Sequence, residues 1–303
     1  MRRKLQKSWN QLYLVRLIRA YGQISQAELA LKTKLQPSTV SNLMRDLKEH
    51  EVVMLTGKGE SGKAGGKKSD LLSLNPSYGT FSGMFVKQDS ISELILDFAG
   101  NVLEQKVEMI EDRPANDLVK LISDRIKEAS INRQNYRGAG ISVQSVVSYG
   151  GDITPSLDFN WSIPRFVEML HEETPTIPMV IENDANCSAY YAYLLLKEKY
   201  RNLITFSIYS HPFTMGGGII MGGELYKGAC GAAGEIWERD LEFWRELNRK
   251  KCTSIEALRE YDLYDKYIEE LQNYILSAAV FLDTEAVVLD GDFAQIDQKL
   301  ING

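Results

Sequence analysis

The sequence predicts a mixed α/β chain in two parts, a winged helix-turn-helix followed by a larger domain of alternating strands and helices. Three observations predict it. Gly22 to Leu47 reads as two short helices around a tight turn, with an apolar stripe on one side and short hydroxyl and amide side chains on the other. Charge changes sign along the chain: residues 1–70 hold 14 Lys or Arg against 6 Asp or Glu, a balance of +8. With −6 for the whole chain, that leaves −14 for the rest. Beyond residue 78, strand-like and helix-like apolar spacing alternate.

In order along the chain, Trp9 to Tyr21 has helical spacing, and Leu12, Leu14, Val15, Leu17 and Ile18 are expected to cover the helix pair that follows. Ser25 and Glu28 have the S-x-x-E spacing of a capping box, so the second helix starts near Gln26, and Ile24 and Leu29 stand where a hydrophobic staple packs. Lys34 and Leu35 form the turn. Pro37 suits a first helical position, and Val40, Leu43, Met44 and Leu47 recur behind it at spacings of three and four. The opposite face presents Ser38, Thr39, Ser41, Asn42 and Arg45, donors able to reach phosphates and base edges in a major groove, as a recognition helix does. Val52 to Leu55 and Leu71 to Leu74 read as strands of a wing, whose Gly- and Lys-rich tip carries Lys67 and Lys68.

The two parts are residues 1–75, a DNA-binding domain, and residues 79–303, joined at Asn75 to Tyr78. Only the first part has the charge for double-stranded DNA, and the acidic remainder limits sticking to nucleic acid elsewhere. At 303 residues and 44% hydrophobic content the chain has material for more than one core. Its longest apolar run, around Ile275 to Leu282, is too short to cross a bilayer, and the basic start lacks the apolar stretch of a signal peptide; a cytoplasmic protein that avoids membranes is expected. Cys187, Cys230 and Cys252 are odd in number and widely spaced, which suggests neither a disulfide framework nor a Cys-x-x-Cys metal site.

In the larger domain, Phe81 to Lys87, Ser92 to Asp97 and Val102 to Val107 read as a three-strand meander. Asp117 to Ile131 is helical, Gly138 to Val147 a strand and Ile163 to Leu170 a helix. Pro178 to Glu182 reads as a buried strand running into a helix from about Ala185 to Lys197. Leu203 to Tyr209 and Gly217 to Met221 form a strand pair, and Leu271 to Phe281 followed by Ala286 to Gly291 a last helix and strand.

The stretches GQISQAELA, TVSNLMRDL, GGKKSDLLSLNP, LILDFAGNVL, IENDANCSAYYAY and GGGIIMGGELYKGACGAAGEI, in this order and spacing, resemble the ROK family of bacterial sugar-responsive repressors and sugar kinases. The resemblance implies a two-lobed, actin-like (ribonuclease H-like), sugar-kinase-type domain behind the winged helix. Kinase members hold ATP phosphates on a loop resembling D-x-G-G-T, because only glycine lets backbone N–H groups approach so closely. Here that loop reads Phe85-Val86-Lys87-Gln88-Asp89, and a second loop resembling G-T-G-x-G reads Pro212-Phe213-Thr214-Met215-Gly216. Both are lost, which argues against phosphoryl transfer. A lone lysine such as Lys87 reads as a solvated surface charge.

The sugar side is better kept. Asn183 and Asp184 match the family's sugar-binding pair, where the aspartate accepts a sugar hydroxyl and, in kinases, serves as general base. Either residue also suits the N-cap of the following helix, and the two roles are compatible. Glu235 matches a second sugar-contacting carboxylate and reads equally as a surface carboxylate at a turn. Glu238 stands where the family has a histidine that binds sugar and zinc, and Asp158 where it has an asparagine that contacts the sugar. The Cys-rich cluster that should follow is absent apart from Cys252, so no zinc, other metal or cofactor is expected, and the buried thiol reading fits Cys252. Fewer elements follow the last strand than the family pattern has, so the domain reads as shortened at its C-terminus.

These readings converge on a non-enzymatic regulator, a repressor of carbohydrate uptake or metabolism genes, acting as a homodimer or larger homo-oligomer on a DNA operator and answering to a sugar or sugar phosphate. The rivals are a sugar kinase and a DNA-binding scaffold without a ligand.

Overall fold

The computed structural model describes residues 2–59, 69–110, 114–155, 162–196, 199–210, 213–235, 242–252 and 255–291. The N-terminal module runs α1 (Arg2–Tyr21), β1 (Ile24–Ser25), α2 (Gln26–Thr33), α3 (Pro37–Glu49), β2 (Val53–Lys58) and β3 (Asp70–Leu74), with an antiparallel sheet in the order β1-β3-β2. The capping box is made: the Glu28 amide donates to Ser25 Oγ at 3.3 Å, and the Ser25 amide to Glu28 Oε2 at 2.9 Å. Lys34, left-handed at φ 57°, ends α2, and Pro37 opens α3. Leu14, Ile18, Leu29, Val40, Met44 and Leu72 close the core with no exposure. Two expectations change. Helix α1 begins at Arg2 rather than Trp9, and Leu12 is 51% exposed, because it lies off the Leu14, Leu17, Ile18 stripe that faces α2 and α3.

A 3-10 turn at Pro76–Tyr78, capped by the Asn75 side chain on the Ser77 amide at 3.1 Å, leads into the first lobe. Its strands are β4 (Thr80–Val86), β5 (Ser90–Asp97) and β6 (Val102–Met109); then come α4 (Ala115–Asn132), β7 (Tyr136–Val143), β8 (Val146–Val147), β9 (Ile153–Thr154), α5 (Phe166–Glu173) and β10 (Met179–Asn183). The sheet order is β10-β7-β4-β5-β6, with β4, β7 and β10 parallel and the meander antiparallel. Leu118, Ile122 and Ile126 of α4 and Phe166 and Leu170 of α5 share its core. The single strand expected over Gly138 to Val147 is two strands broken at Gln144 and Ser145. The helix expected from Ile163 starts at Phe166, since Ile163 bridges Ile153 and Arg165 is left-handed at φ 55°.

The second lobe holds α6 (Asp184–Leu195), β11 (Leu203–Ser210), β12 (Phe213–Met221), β13 (Glu224–Leu225), α7 (Glu242–Arg249), α8 (Ile255–Glu260), α9 (Tyr264–Leu282) and β14 (Ala286–Asp290). Its order, β13-β12-β11-β14 with β14 parallel to β11, repeats the meander-then-parallel arrangement of the first lobe. Leu247, Leu258, Tyr267 and Leu271 of α7, α8 and α9 pack on Phe206 and Ile208 of β11, and Cys252 is buried among them. Among the described residues, no helix is long and apolar enough to cross a membrane.

Candidate functional site

The site gathers where the chain leaves β10 and enters α6. Asn183 is 6% exposed and caps α6, its Oδ1 accepting from the Asn186 amide at 3.1 Å. Its Nδ2 donates to the Ser145 carbonyl at 3.1 Å and to Glu235 Oε1 at 3.2 Å. Two residues 52 positions apart, expected together only through the family resemblance, therefore meet. The break between β7 and β8 is what turns the Ser145 carbonyl toward Asn183 instead of into a ladder.

Glycines set the position of α6 and of Glu235. A Cβ on Gly218 would overlap the Ala185 carbonyl oxygen, so α6 lies directly on the backbone of β12. The carbonyl of Gly234, a residue at φ +87°, accepts from the Gly217 amide at 2.8 Å, and a Cβ on Gly234 would overlap the Gly217 oxygen. Gly216 then bridges Glu235, which brings that carboxylate to the Asn183 side-chain amide. The GGG run is a packing surface for the site's own elements.

Beside the pair, Glu182 Oε1 accepts from the Asn183 amide at 2.9 Å and from Asn186 Nδ2 at 3.1 Å, while its Oε2 pairs with Lys227 at 2.9 Å. The Lys227 ammonium lies 5.3 Å from the centre of the Tyr149 ring, and the Tyr149 hydroxyl donates to the Gly228 carbonyl at 3.0 Å. Sequence reasoning missed Ser145, Tyr149, Glu182 and Lys227. Adjacency in Ile181-Glu182-Asn183-Asp184 was the one available signal for Glu182; the others come together only through tertiary register.

Asp184 opens α6 and accepts a hydrogen bond from the Tyr209 hydroxyl at 3.3 Å. Burial first, and then the Asp184 and Asp290 charges, push the Tyr209 hydroxyl well above the usual phenol range, so it stays a neutral donor. Lys87 departs from its expected place in solvent. It is half-buried, with its ammonium 5.1 Å from the Phe85 ring centre and 5.7 Å from that of Tyr209. Lobe one thus reaches lobe two by a cation over an aromatic ring, where kinase members of the family are expected to hold phosphates. Positions 213–216 are strand residues paired with β11, and Met215 is buried in the second core.

On α3, the stripe of Val40, Leu43, Met44 and Leu47 is buried. Ser38, Ser41, Asn42 and Arg45 are exposed and Thr39 half-exposed. Among the described residues, Arg45 has a loose partner in Glu49 at 3.9 Å, both side chains being over 60% exposed. Lys67, Lys68, Asp158 and Glu238 lie outside the described residues.

Residues 88–253 match the ROK family. A xylose repressor of Staphylococcus xylosus is 32% identical over 217 residues, covering 70% of this chain and 55% of that protein. The xylose repressor of Bacillus subtilis strain 168 is 29% identical over 252 residues, covering 82% and 63%. The chain therefore spans between half and two thirds of these relatives. Among solved structures, a ROK family transcriptional regulator described as a homolog of the E. coli MLC protein superposes with a TM-score of 0.67 at 18% identity, over 96% of this chain and 86% of that one. A ROK family glucokinase from Streptomyces griseus, in complex with glucose and AMPPNP, superposes with a TM-score of 0.55 at 16% identity over 74% and 86%. At these identities the two structures bear on the fold alone.

Proposed function

Because the chain belongs to the ROK family, we propose that it is a transcriptional repressor of carbohydrate uptake or metabolism genes, in which a winged helix-turn-helix binds operator DNA and the two-lobed domain senses a sugar. The observation that carries this reading is the exposed donor face of α3, held over a fully buried core on the same chain as the Asn183–Glu235 site. Ser38, Thr39, Ser41, Asn42 and Arg45 contact phosphates and base edges, with Lys67 and Lys68 on the wing adding phosphate attraction. The protein works in the cytoplasm as a homodimer, matching a two-fold operator.

Asp184 accepts sugar hydroxyls, Glu235 orients the sugar through its bond with Asn183, and Asp158 and Glu238 are further sugar ligands in this reading. The names of the relatives make D-xylose the first effector to test, with sugar phosphates beside it. The kinase rival requires phosphate loops; Phe85, Lys87 and buried Met215 at those positions speak against it. No metal or cofactor takes part in this reading.

Mapping bound sites across the genome tests the DNA side: enrichment beside sugar transport or catabolic genes supports the reading, and no enrichment removes it. Calorimetry against D-xylose, other monosaccharides and their phosphates tests the sensor. Heat abolished by Asp184→Ala supports a sugar sensor. Silence across the panel leaves the scaffold reading, and sugar-dependent ATP turnover lost in Asp184→Asn would establish the kinase.

A further inference from the structure

We propose that α6 is a mechanical relay, in which the contact of Arg16 on α1 with Tyr190, Tyr193 and Glu224 carries the state of the sugar site to the DNA-binding module. The inference rests on the sensor reading above.

The module is attached to the two lobes by unlike chemistry. Toward lobe one, Tyr78, Phe98 and Ala99 join the module's own apolar core, and the Arg19 guanidinium lies over Gly100, where a Cβ would come within 3.0 Å of it. That joint is apolar at Phe98 and Ala99, unlike the charged contact to lobe two. Toward lobe two, α1 meets α6 through Arg16. Its guanidinium lies 5.6 Å from the Tyr190 ring centre and 5.9 Å from that of Tyr193, and 3.7 Å separates it from the Glu224 carboxylate. Both rings belong to lobe two: Tyr193 is 4% exposed and packs with Leu203 and Ile220 of its sheet. Gly223 closes against the Tyr193 hydroxyl, where a Cβ would lie 2.8 Å away.

Helix α6 therefore carries Asp184 at its first residue, with Asn183 as its cap, and the Arg16 contact on its later turns. Tyr193 lies nine positions after Asp184, about 14 Å along the helix, so a rotation of lobe two, α6 included, by about 10° about the Asn183 end moves the rings by roughly 2 Å. A guanidinium over an aromatic ring holds to about 6 Å. Arg16 already sits near that limit, and such a rotation breaks its contact while the apolar joint to lobe one survives. A sugar bound at Asp184 and Glu235, beside the Asn183–Ser145 bond to lobe one, need only prefer one orientation of lobe two for the module to change its attachment.

The test compares the full chain with its Arg16→Met variant, which keeps the aliphatic bulk and removes the charge, measuring D-xylose affinity in the presence and absence of operator DNA. Linkage makes the ratio of the two affinities the coupling between the sites. The wild type is expected to give a ratio of about 5 or more, and the variant a ratio near one, with both still binding sugar and operator separately. An unchanged ratio in Arg16→Met overturns the relay while leaving the sensor reading intact. A wild type that binds operator but shows no effect on it of D-xylose or of any other sugar or sugar phosphate in the panel overturns both. Hydrogen exchange on the sugar-free chain supplies a readout independent of any effector. Faster exchange at Tyr190–Tyr193 and Glu224 in Arg16→Met, with α2 and α3 still protected, supports the contact; unchanged exchange there overturns it.

Discussion

Asn183 does three things with one amide side chain: it caps α6, holds the Ser145 carbonyl and reaches Glu235. Its capping role was legible, since asparagine before a helical run is a standard N-cap. Its partners were not, because the break after β7 and the Gly216–Glu235 bridge are tertiary facts with no local spacing. Asn183→Ala should lower stability by about 1 to 3 kcal/mol, through the lost cap and the stranded acceptors, as read by chemical denaturation. Asp184→Ala gives up the hydrogen bond from the Tyr209 hydroxyl, so it should cost stability modestly, by about 1 kcal/mol, while abolishing sugar binding. On α3, Arg45→Ala should weaken specific operator binding by about 1 to 3 kcal/mol, as expected for a guanine contact. The side chain is exposed and outside the core, so the variant should fold like the wild type. Undiminished binding would remove Arg45 from the interface.

Among the elements, those bounded by side-chain chemistry were the most legible. The S-x-x-E signal marks the start of α2, Pro37 marks α3, and apolar runs broken by the Ala99-Gly100-Asn101 turn mark the meander. Helices α7 and α8 escaped sequence reasoning because that stretch sets few apolar residues among many charges. Only their burial against lobe two reveals Phe243, Leu247 and Leu258 as a helical face. The capping box makes a pH prediction. Bonds from the Ser25 side chain and then from its backbone amide hold the Glu28 carboxyl below the ordinary glutamate value. A carboxyl lowered on folding adds stability above its unfolded value and loses it as pH falls through the folded one. Glu28→Gln should therefore cost stability near neutrality, and its deficit should shrink on acidification below about pH 4. Thermal unfolding from neutral to acid pH checks this, and a deficit constant across that range would contradict it.

Across the whole molecule the charge is divided, +8 on residues 1–70 and −14 on the remainder. That change of sign falls close to the end of β3, where the chain passes through the 3-10 turn into the first lobe. Pairing of the lobes was not legible in local spacing, because strands far apart in sequence, β4 with β7 and β11 with β14, define each lobe; the family resemblance supplied it. Operator affinity should fall steeply with salt, and replacing Lys67 and Lys68 by alanine should reduce the slope by about one for each phosphate that no longer meets a lysine. In this molecule the Asn183–Glu235 site is expected to govern what α3 does. Operator affinity measured by fluorescence anisotropy across a D-xylose titration, on the wild type and on Asp184→Ala, tests it most directly. Sugar should weaken wild-type operator binding and leave the variant's unchanged; equal loss of affinity in both proteins would rule out control of α3 by this site.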